Sequence, residues 1–396
     1  MKGAGYRGPF GGEGWDGMWT DMSEIVRPTR DGIHGREFIS TAVDIGGTPP
    51  FLTFDEPDVP ELNSGTSGTS GTSGLSIAPR PRVLSIPLPI LFDVPPMSVA
   101  SKTLFTILSQ AAQESETLAV VPLAAITRGL VSSGVQLLNN RNSGTTEHLV
   151  PLVTVDERDV LSSLSFEPRL IEMAVWDERL YDQIRSRFPE SIICLRLSLA
   201  SMSRSSTPGH QELPEKLIHY VHSGVRVFHL VANYHGRGLD GRFVLDLIRE
   251  AHRALVAARC RDEVTLLGSG GIIAAEHVPK AIICGLDAVA LDTALLVALQ
   301  TTFRGDGLMS PMSRSSTPGH RGHQDRFQLP GEITVEWGVQ RLKNLLGSWR
   351  DQMLEVLGAM GLREVRRLRG EVGRAMFQND LEREAFGEIL GYGDRP

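Results

Sequence analysis

Two short turns in the last third of the chain place glycine, hydroxyl and carboxyl groups directly after apolar runs. Ser269–Gly271 follows the run Val264–Leu267, and Asp292 and Thr293 follow Leu286–Leu291. Glycine lets the backbone turn sharply and approach a ligand closely, and backbone amides at the start of a helix attract anions. A segment with helical spacing follows each turn. The pair therefore predicts a site for a phosphorylated ligand, with Ser269, Gly270, Gly271, Asp292 and Thr293 as its binding residues.

Short apolar runs alternate with amphipathic segments from Val83 to Leu299. Such runs are typical of parallel strands that are buried on both faces. The alternation predicts an α/β fold, specifically a (β/α)8 barrel of the TIM type, in which the last two strand-to-helix turns commonly bind phosphate. A doubly wound sheet is the alternative. No G-x-G-x-x-G motif follows the first strand, which disfavours that alternative.

Three regions are expected along the 396 residues. Residues 1–82 form an irregular N-terminal extension. Its first 22 residues lack periodicity and predict a disordered tail with room for local docking, and 62–74 is a Gly/Ser/Thr linker. Residues 83–330 form the barrel, and residues 331–396 form a helical C-terminal tail. Apolar spacing predicts the tail's helices over Ile333–Met360, Leu362–Arg369 and Glu371–Leu390.

The composition narrows the class of partner. The chain is 41% hydrophobic and 22% charged, with a net charge of −7 and a pI near 5.9, which argues against a nucleic acid or an anionic membrane as its partner. No apolar run is long enough for a transmembrane helix. The three cysteines form no C-x-x-C pair, which favours the reducing cytoplasm.

The nonapeptide MSRSSTPGH occurs at both 202–210 and 312–320, and we interpret it as a copied flexible loop.

The spacing of the two turns resembles the FMN-binding barrel domain of the glutamate synthase family. That family has a DGG turn, a helix, and then the pattern G-x-D-A-x-x-x-G-T-A-L. In this chain SGG replaces DGG, so Ser269 stands for an Asp, and Asp292 stands for a Gly. The remaining matches to the pattern are Gly285, Asp287, Ala288, Thr293, Ala294 and Leu295. The resemblance extends roughly from Arg27 to Leu368.

The resemblance implies that FMN binds at the open end of the barrel. Met97 and Ser98 match the family's P-M-S segment, which approaches the flavin. Gly236 and Gly238 retain part of a glycine-rich loop that holds ligand oxygens in the family. These four residues therefore join the two turns as predicted cofactor-binding residues.

Two side chains are candidate catalytic residues. Arg196 stands at the position of a family Lys that approaches flavin and substrate, although Arg does not titrate and presents a planar fork; an ion pair at the strand end explains it equally well. His235 lies in the glycine turn and offers an acid or base. A second family Lys, expected two residues after Glu172, is replaced by Ala174.

The resemblance implies a glutamate synthase-like, FMN-dependent oxidoreductase that acts on an amino acid or 2-oxo acid, with an altered substrate. It also implies a homo-oligomer or a partner redox subunit. The alternative is a degenerate, non-catalytic barrel that serves as a structural or regulatory subunit of a larger complex. No Cys lies between Gln300 and Gln324, where the family has the ligands of an iron–sulfur cluster, so no cluster is expected. The pair His320 and His323 lacks further ligands, and no metal site is expected.

Overall fold

A computed structural model describes residues 15, 18–20, 38–46, 83–96, 99–129, 146–199, 213–233, 236–238, 241–304 and 326–389. Met97, Ser98, His235, the linker at 62–74 and both copies of the nonapeptide lie outside these ranges.

Eight parallel strands, each hydrogen-bonded to the next in chain order, close into a barrel. They are β1 (Ile90–Phe92), β2 (Ala119–Pro122), β3 (Leu149–Val153), β4 (Leu170–Met173), β5 (Ile192–Ser198), β6 (Val227–Val231), β7 (Thr265–Ser269) and β8 (Ala288–Leu291). Closure pairs β8 with β1, so that Leu291 lies opposite Phe92. Every residue of β1, β4, β7 and β8 is buried, because helices cover the outer face and side chains fill the inner one. The predicted α/β barrel is confirmed.

Helices follow most of the barrel strands. They are α1 (Lys102–Glu114), α2 (Leu123–Thr127), α3 (Glu178–Arg187), α4 (Leu213–His222), α5 (Val244–Ala257), α6 (His277–Ile283) and α7 (Thr293–Ala298). A 3-10 helix, Val155–Ser163, stands between β3 and β4. α1 begins at Lys102 and not directly after the P-M-S segment that ends at Ser98. The reason is local: the side chain of Ser101 accepts the hydrogen bond of the Leu104 amide and so caps the helix.

The C-terminal region is helical but less regular than predicted. The long helix α8 (Val335–Ala359) agrees with its prediction and packs against α1. Over Leu362–Arg369 only a 3-10 turn forms, and the region predicted as a last helix contains the strand Ala375–Phe377 before α9 (Gln378–Phe386). This strand pairs antiparallel with Met18–Thr20. The helical pattern could not reveal it, because its partner is more than 350 residues away.

Part of the N-terminal extension is ordered. Val43–Ile45 pairs antiparallel with Leu84–Ile86, so a strand outside the barrel directly precedes β1 (Ile90–Phe92). Trp15 and Met18 are fully buried, so the N-terminal tail docks locally at these two residues. Within the described ranges, no helix combines the length and apolar character needed to cross a membrane.

Candidate functional site

Charged side chains cross the interior of the barrel, from Asp93 at the carboxyl end of β1 to residues within β4, β5 and β6. Arg196 on β5 donates from Nη1 to Asp93 Oδ1 at 2.8 Å and from Nη2 to Asp93 Oδ2 at 2.9 Å. Asp93 directly follows β1, and β1 and β5 lie opposite each other in the closed barrel. Arg196 Nη1 also donates to Glu172 Oε1 on β4 at 2.8 Å. This arrangement ties three strands together through side chains that are almost fully buried.

His229 on β6 completes the group. Its Nδ1 lies 2.9 Å from Glu172 Oε1; an ionised carboxylate only accepts hydrogen bonds, so Nδ1 is the donor. Its Nε2 lies 3.9 Å from Asp93 Oδ2 and has no hydrogen-bond partner among the described residues, although the side chain is 0% exposed. We call Asp93, Glu172, Arg196 and His229 the cross-barrel cluster.

The groups of the cluster keep one another ionised despite their burial. Burial by itself would raise the pKa of Asp93, but the charges of Arg196 and His229 outweigh burial and lower it below 3.8. Burial would likewise raise the pKa of Glu172, and His229 and Arg196 lower it below 4.5. Burial would lower the pKa of Arg196, and the two carboxylates raise it instead. All three groups are therefore ionised at neutral pH inside the barrel.

The sequence analysis proposed Arg196 but missed His229. The available signal was a single histidine within the apolar run VFHLV of β6. In the register of the barrel, His229 lies opposite Arg196, and this pairing could not be read from the run itself. For Arg196 the sequence left an ion pair and a functional role as equal alternatives, and the structure shows the ion pair.

The glycine turns after β6 and β7 contact each other. Gly270 has φ +111°, and a Cβ added to it would lie 2.7 Å from Ala232 Cβ. Gly236 has φ +69°, and a Cβ added there would lie 3.2 Å from the Gly270 carbonyl oxygen. Both positions therefore require glycine. The amide of Gly238 donates to the Arg242 carbonyl at 2.9 Å, so it is used within its own turn.

Two buried hydroxyls lie at the predicted phosphate turns. Ser269 Oγ, at the end of β7, and Thr293 Oγ1, at the start of α7, have no hydrogen-bond partner in the described part of the chain. Hydroxyls that lack a partner can donate to a phosphate oxygen. Together with the positive-φ glycines Gly270 and Gly271, they fit a phosphate group.

Asp292 fits a phosphate only when it is protonated. Its Oδ1 accepts the hydrogen bond of the Thr293 amide, which a phosphate would otherwise receive. Burial first, and the charge of Asp93 second, raise the pKa of Asp292 to about 6. Near neutral pH the ionised carboxylate would repel a phosphate dianion.

A cavity of about 490 Å³ lies at the opposite, amino-terminal end of the barrel. Charged groups of its lining pair with one another: Arg369 Nη1 donates to Asp287 Oδ1 at 2.9 Å, and Arg369 Nη2 to Asp262 Oδ1 at 3.0 Å. We therefore place the candidate site at the carboxyl ends rather than in this cavity. Among the residues that the structure describes, no group of three or more His, Cys, Asp or Glu is arranged to hold a metal ion.

Fold and site define a β/α barrel with a charged layer at the end where barrels hold their functional residues. Residues 241–305, which include β7, β8 and both predicted phosphate turns, match the family model described as the conserved region in glutamate synthase. The predicted resemblance to the glutamate synthase family is confirmed over these residues.

Curated relatives show the same similarity. The archaeal glutamate synthase (NADPH) of Methanocaldococcus jannaschii is 33% identical over 134 residues, which are 33% of this chain and 24% of the relative. That of Archaeoglobus fulgidus is 34% identical over 148 residues, 36% of this chain and 28% of the relative. The archaeal-type glutamate synthase (NADPH) of Dehalococcoides mccartyi is 36% identical over 110 residues, 28% of this chain and 21% of the relative. The matched segment thus spans about a quarter of each relative.

Proposed function

We propose that the chain is a glutamate synthase-like, FMN-dependent oxidoreductase that acts on an amino acid or a 2-oxo acid. The cross-barrel cluster is the observation that carries this proposal. A buried ion group is often no more stable than an apolar layer of the same volume, so stability alone gives little reason to keep one. Its Asp93 lies just past the carboxyl end of β1, which is the end of a barrel from which a substrate would reach the cluster.

FMN would be held by residues of the two turns and their neighbours. Ser269, Gly270, Gly271 and Thr293 would receive the phosphate through hydroxyls and amides, and Gly236 would let the neighbouring turn approach. Met97, Ser98 and Gly238 stay predicted flavin neighbours. When bound, FMN supplies the capacity to accept or donate electrons at the substrate carbon.

The chain's own residues would supply binding and proton transfer. Glu172 accepts the His229 Nδ1 hydrogen and so orients the imidazole, which leaves Nε2 available as an acid or base. A substrate carboxylate would compete with Asp93 for the planar fork of Arg196. His235 stays a predicted second acid or base of the adjoining turn.

The alternative is a non-catalytic barrel that serves as a structural or regulatory subunit. Two observations favour it: both terminal nitrogens of Arg196 are occupied by the chain's own carboxylates, and Asp292 occupies the amide of Thr293. The substrate class, a homo-oligomer or redox partner, and a cytoplasmic location are further predictions of the enzyme proposal.

Flavin content distinguishes the two proposals. The full chain is purified, added FMN is titrated, and flavin absorbance and released FMN are measured per chain. We expect stoichiometric FMN in the wild type and none in Gly270→Ala, because a Cβ there would lie 2.7 Å from Ala232 Cβ. Gly331→Ala is the matched control, since nothing lies within 4 Å of its added Cβ. A colourless wild type that does not bind added FMN would reject the enzyme proposal and leave the alternative.

A further inference from the structure

Trp15 is fixed against α6 although it belongs to the N-terminal extension. Its side chain is 0% exposed, and its carbonyl oxygen accepts a hydrogen bond from Lys280 Nζ at 2.9 Å. Lys280 is itself only 7% exposed. A buried ammonium group needs acceptors nearby, so this contact fastens the Trp15 backbone to the barrel.

The indole of Trp15 contacts two aromatic rings on different elements. Its centroid lies 5.3 Å from that of Phe243 in an edge-to-face arrangement, at 74° between planes. It lies 6.3 Å from that of His277, stacked at 27°. Edge-to-face and offset-stacked pairs are the favoured geometries of aromatic rings, and one side chain here uses both.

Phe243 supports the turn that follows β6. A Cβ added to Gly236 would lie 2.7 Å from Phe243 Cε2, so the ring fills the space directly behind that glycine. The next residue, Val244, donates its amide hydrogen to the Gly236 carbonyl at 2.6 Å. The position of Gly236 therefore depends on the position of Phe243.

His277 supports the turn that follows β7. Its Nδ1 lies 3.3 Å from the amide nitrogen of Ile273 and accepts that hydrogen bond. Ile273 is two residues after Gly271, within the connection from β7 to α6. The path of this connection therefore depends on the position of His277, which is buried.

We propose that Trp15 is a positioning residue that holds both glycine turns of the phosphate site from behind. It acts through Phe243 on the turn after β6 and through His277 on the turn after β7. The mechanical coupling stands on the contacts above. Its consequence for ligand affinity rests on the proposed function.

Hydrogen–deuterium exchange of the full chain tests the coupling without a ligand. We expect Trp15→Ala to speed exchange about tenfold in peptides containing Gly236–Gly238 and in peptides containing Gly270–Ile273, a factor equivalent to about 1.4 kcal/mol. Peptides of β2, on the far side of the barrel, serve as the internal reference. Phe105→Ala removes an equally buried aromatic ring from α1 and should not loosen these turns relative to β2.

The coupling is wrong if Trp15→Ala leaves either turn at its wild-type exchange rate relative to β2. Trp15→Phe keeps an aromatic ring and should raise exchange in both turns by a smaller factor. If Trp15→Ala does not fold, Trp15→Phe decides. The proposal is then overturned if exchange in either turn fails to rise. We also expect Trp15→Ala to weaken FMN binding about tenfold. Failure of the wild type to bind FMN would refute the proposed function, while the exchange result would still decide the coupling.

Discussion

Replacing Asp292 by Asn removes a buried charge and keeps the helix cap. The side chain is 6% exposed, and its Oδ1 accepts the hydrogen bond of the Thr293 amide at the start of α7. An Asn oxygen can accept the same bond. The variant therefore isolates the electrostatic consequence of having a carboxylate at a position where the glutamate synthase pattern has Gly.

The size of the effect follows from the pKa. Burial and the charge of Asp93 raise the pKa of Asp292 from an ordinary value of 3.8 to about 6. The folded state therefore binds this proton more tightly than the unfolded state, so the residue's contribution to stability is complete below pH 3.8 and disappears as the pH rises through about 6. One pKa unit corresponds to about 1.4 kcal/mol. The ionised carboxylate thus lowers the free energy of unfolding by about 3 kcal/mol above that pH.

Urea unfolding across the pH range measures this contribution. We expect Asp292→Asn to exceed the wild type in free energy of unfolding by roughly 2.5 kcal/mol more at pH 8 than at pH 4, with most of the change between pH 4 and 6 and little above. Asp182→Asn on α3 is the control, because Asp182 is exposed and its replacement should give no such pH-dependent difference.

A difference between Asp292→Asn and the wild type that stays constant from acid to alkaline pH would refute this reasoning. So would a wild type that gains stability over the variant as the pH rises. Either result would mean that the carboxylate is ionised without penalty, and the electrostatic objection to a phosphate at this turn would then disappear.

Two further predictions concern buried charge. Arg196→Met leaves Asp93 and Glu172 buried without their cation and should lower the free energy of unfolding by about 3–5 kcal/mol, measured by urea unfolding at neutral pH. Arg383→Met, at an exposed position, is the control and should change this free energy little. An equally small effect of Arg196→Met would contradict the cluster's charged state. Burial, together with the charges of Arg261 and Arg369, lowers the pKa of His252 to about 4, so the wild type should lose stability as the pH falls from 6.5 to about 4. In the same assay His252→Gln should lose less over that window, and identical acid sensitivity of the two proteins would be the contrary result.

The sequence predicted the barrel because the signals for its elements are local. Short apolar runs such as β8 and the amphipathic spacing of α8 are set by neighbouring residues, and glycine at Gly270 is required by the backbone itself. Predictions failed where an element depends on a distant partner. The strand Ala375–Phe377 forms because Met18–Thr20 lies beside it.

The sequence predicted only some of the residues of the candidate site. Arg196, Ser269, Gly270 and Thr293 could be proposed from pattern and resemblance. His229 could not be proposed, because the role of a histidine in an apolar strand depends on its neighbours in the closed barrel. The same holds for Asp93, whose carboxylate meets a guanidinium 103 residues away.

The sequence by itself determined the alternation of strands and helices and the places where only glycine fits, since these depend on hydrophobic periodicity and backbone angles over a few residues. The tertiary structure alone decided that Asp93, Glu172, Arg196 and His229 share one buried layer and that Trp15 contacts the residues supporting both glycine turns. Closing eight strands into a barrel brings opposite strands within hydrogen-bond reach, and burial then makes each of those charges dependent on its partner.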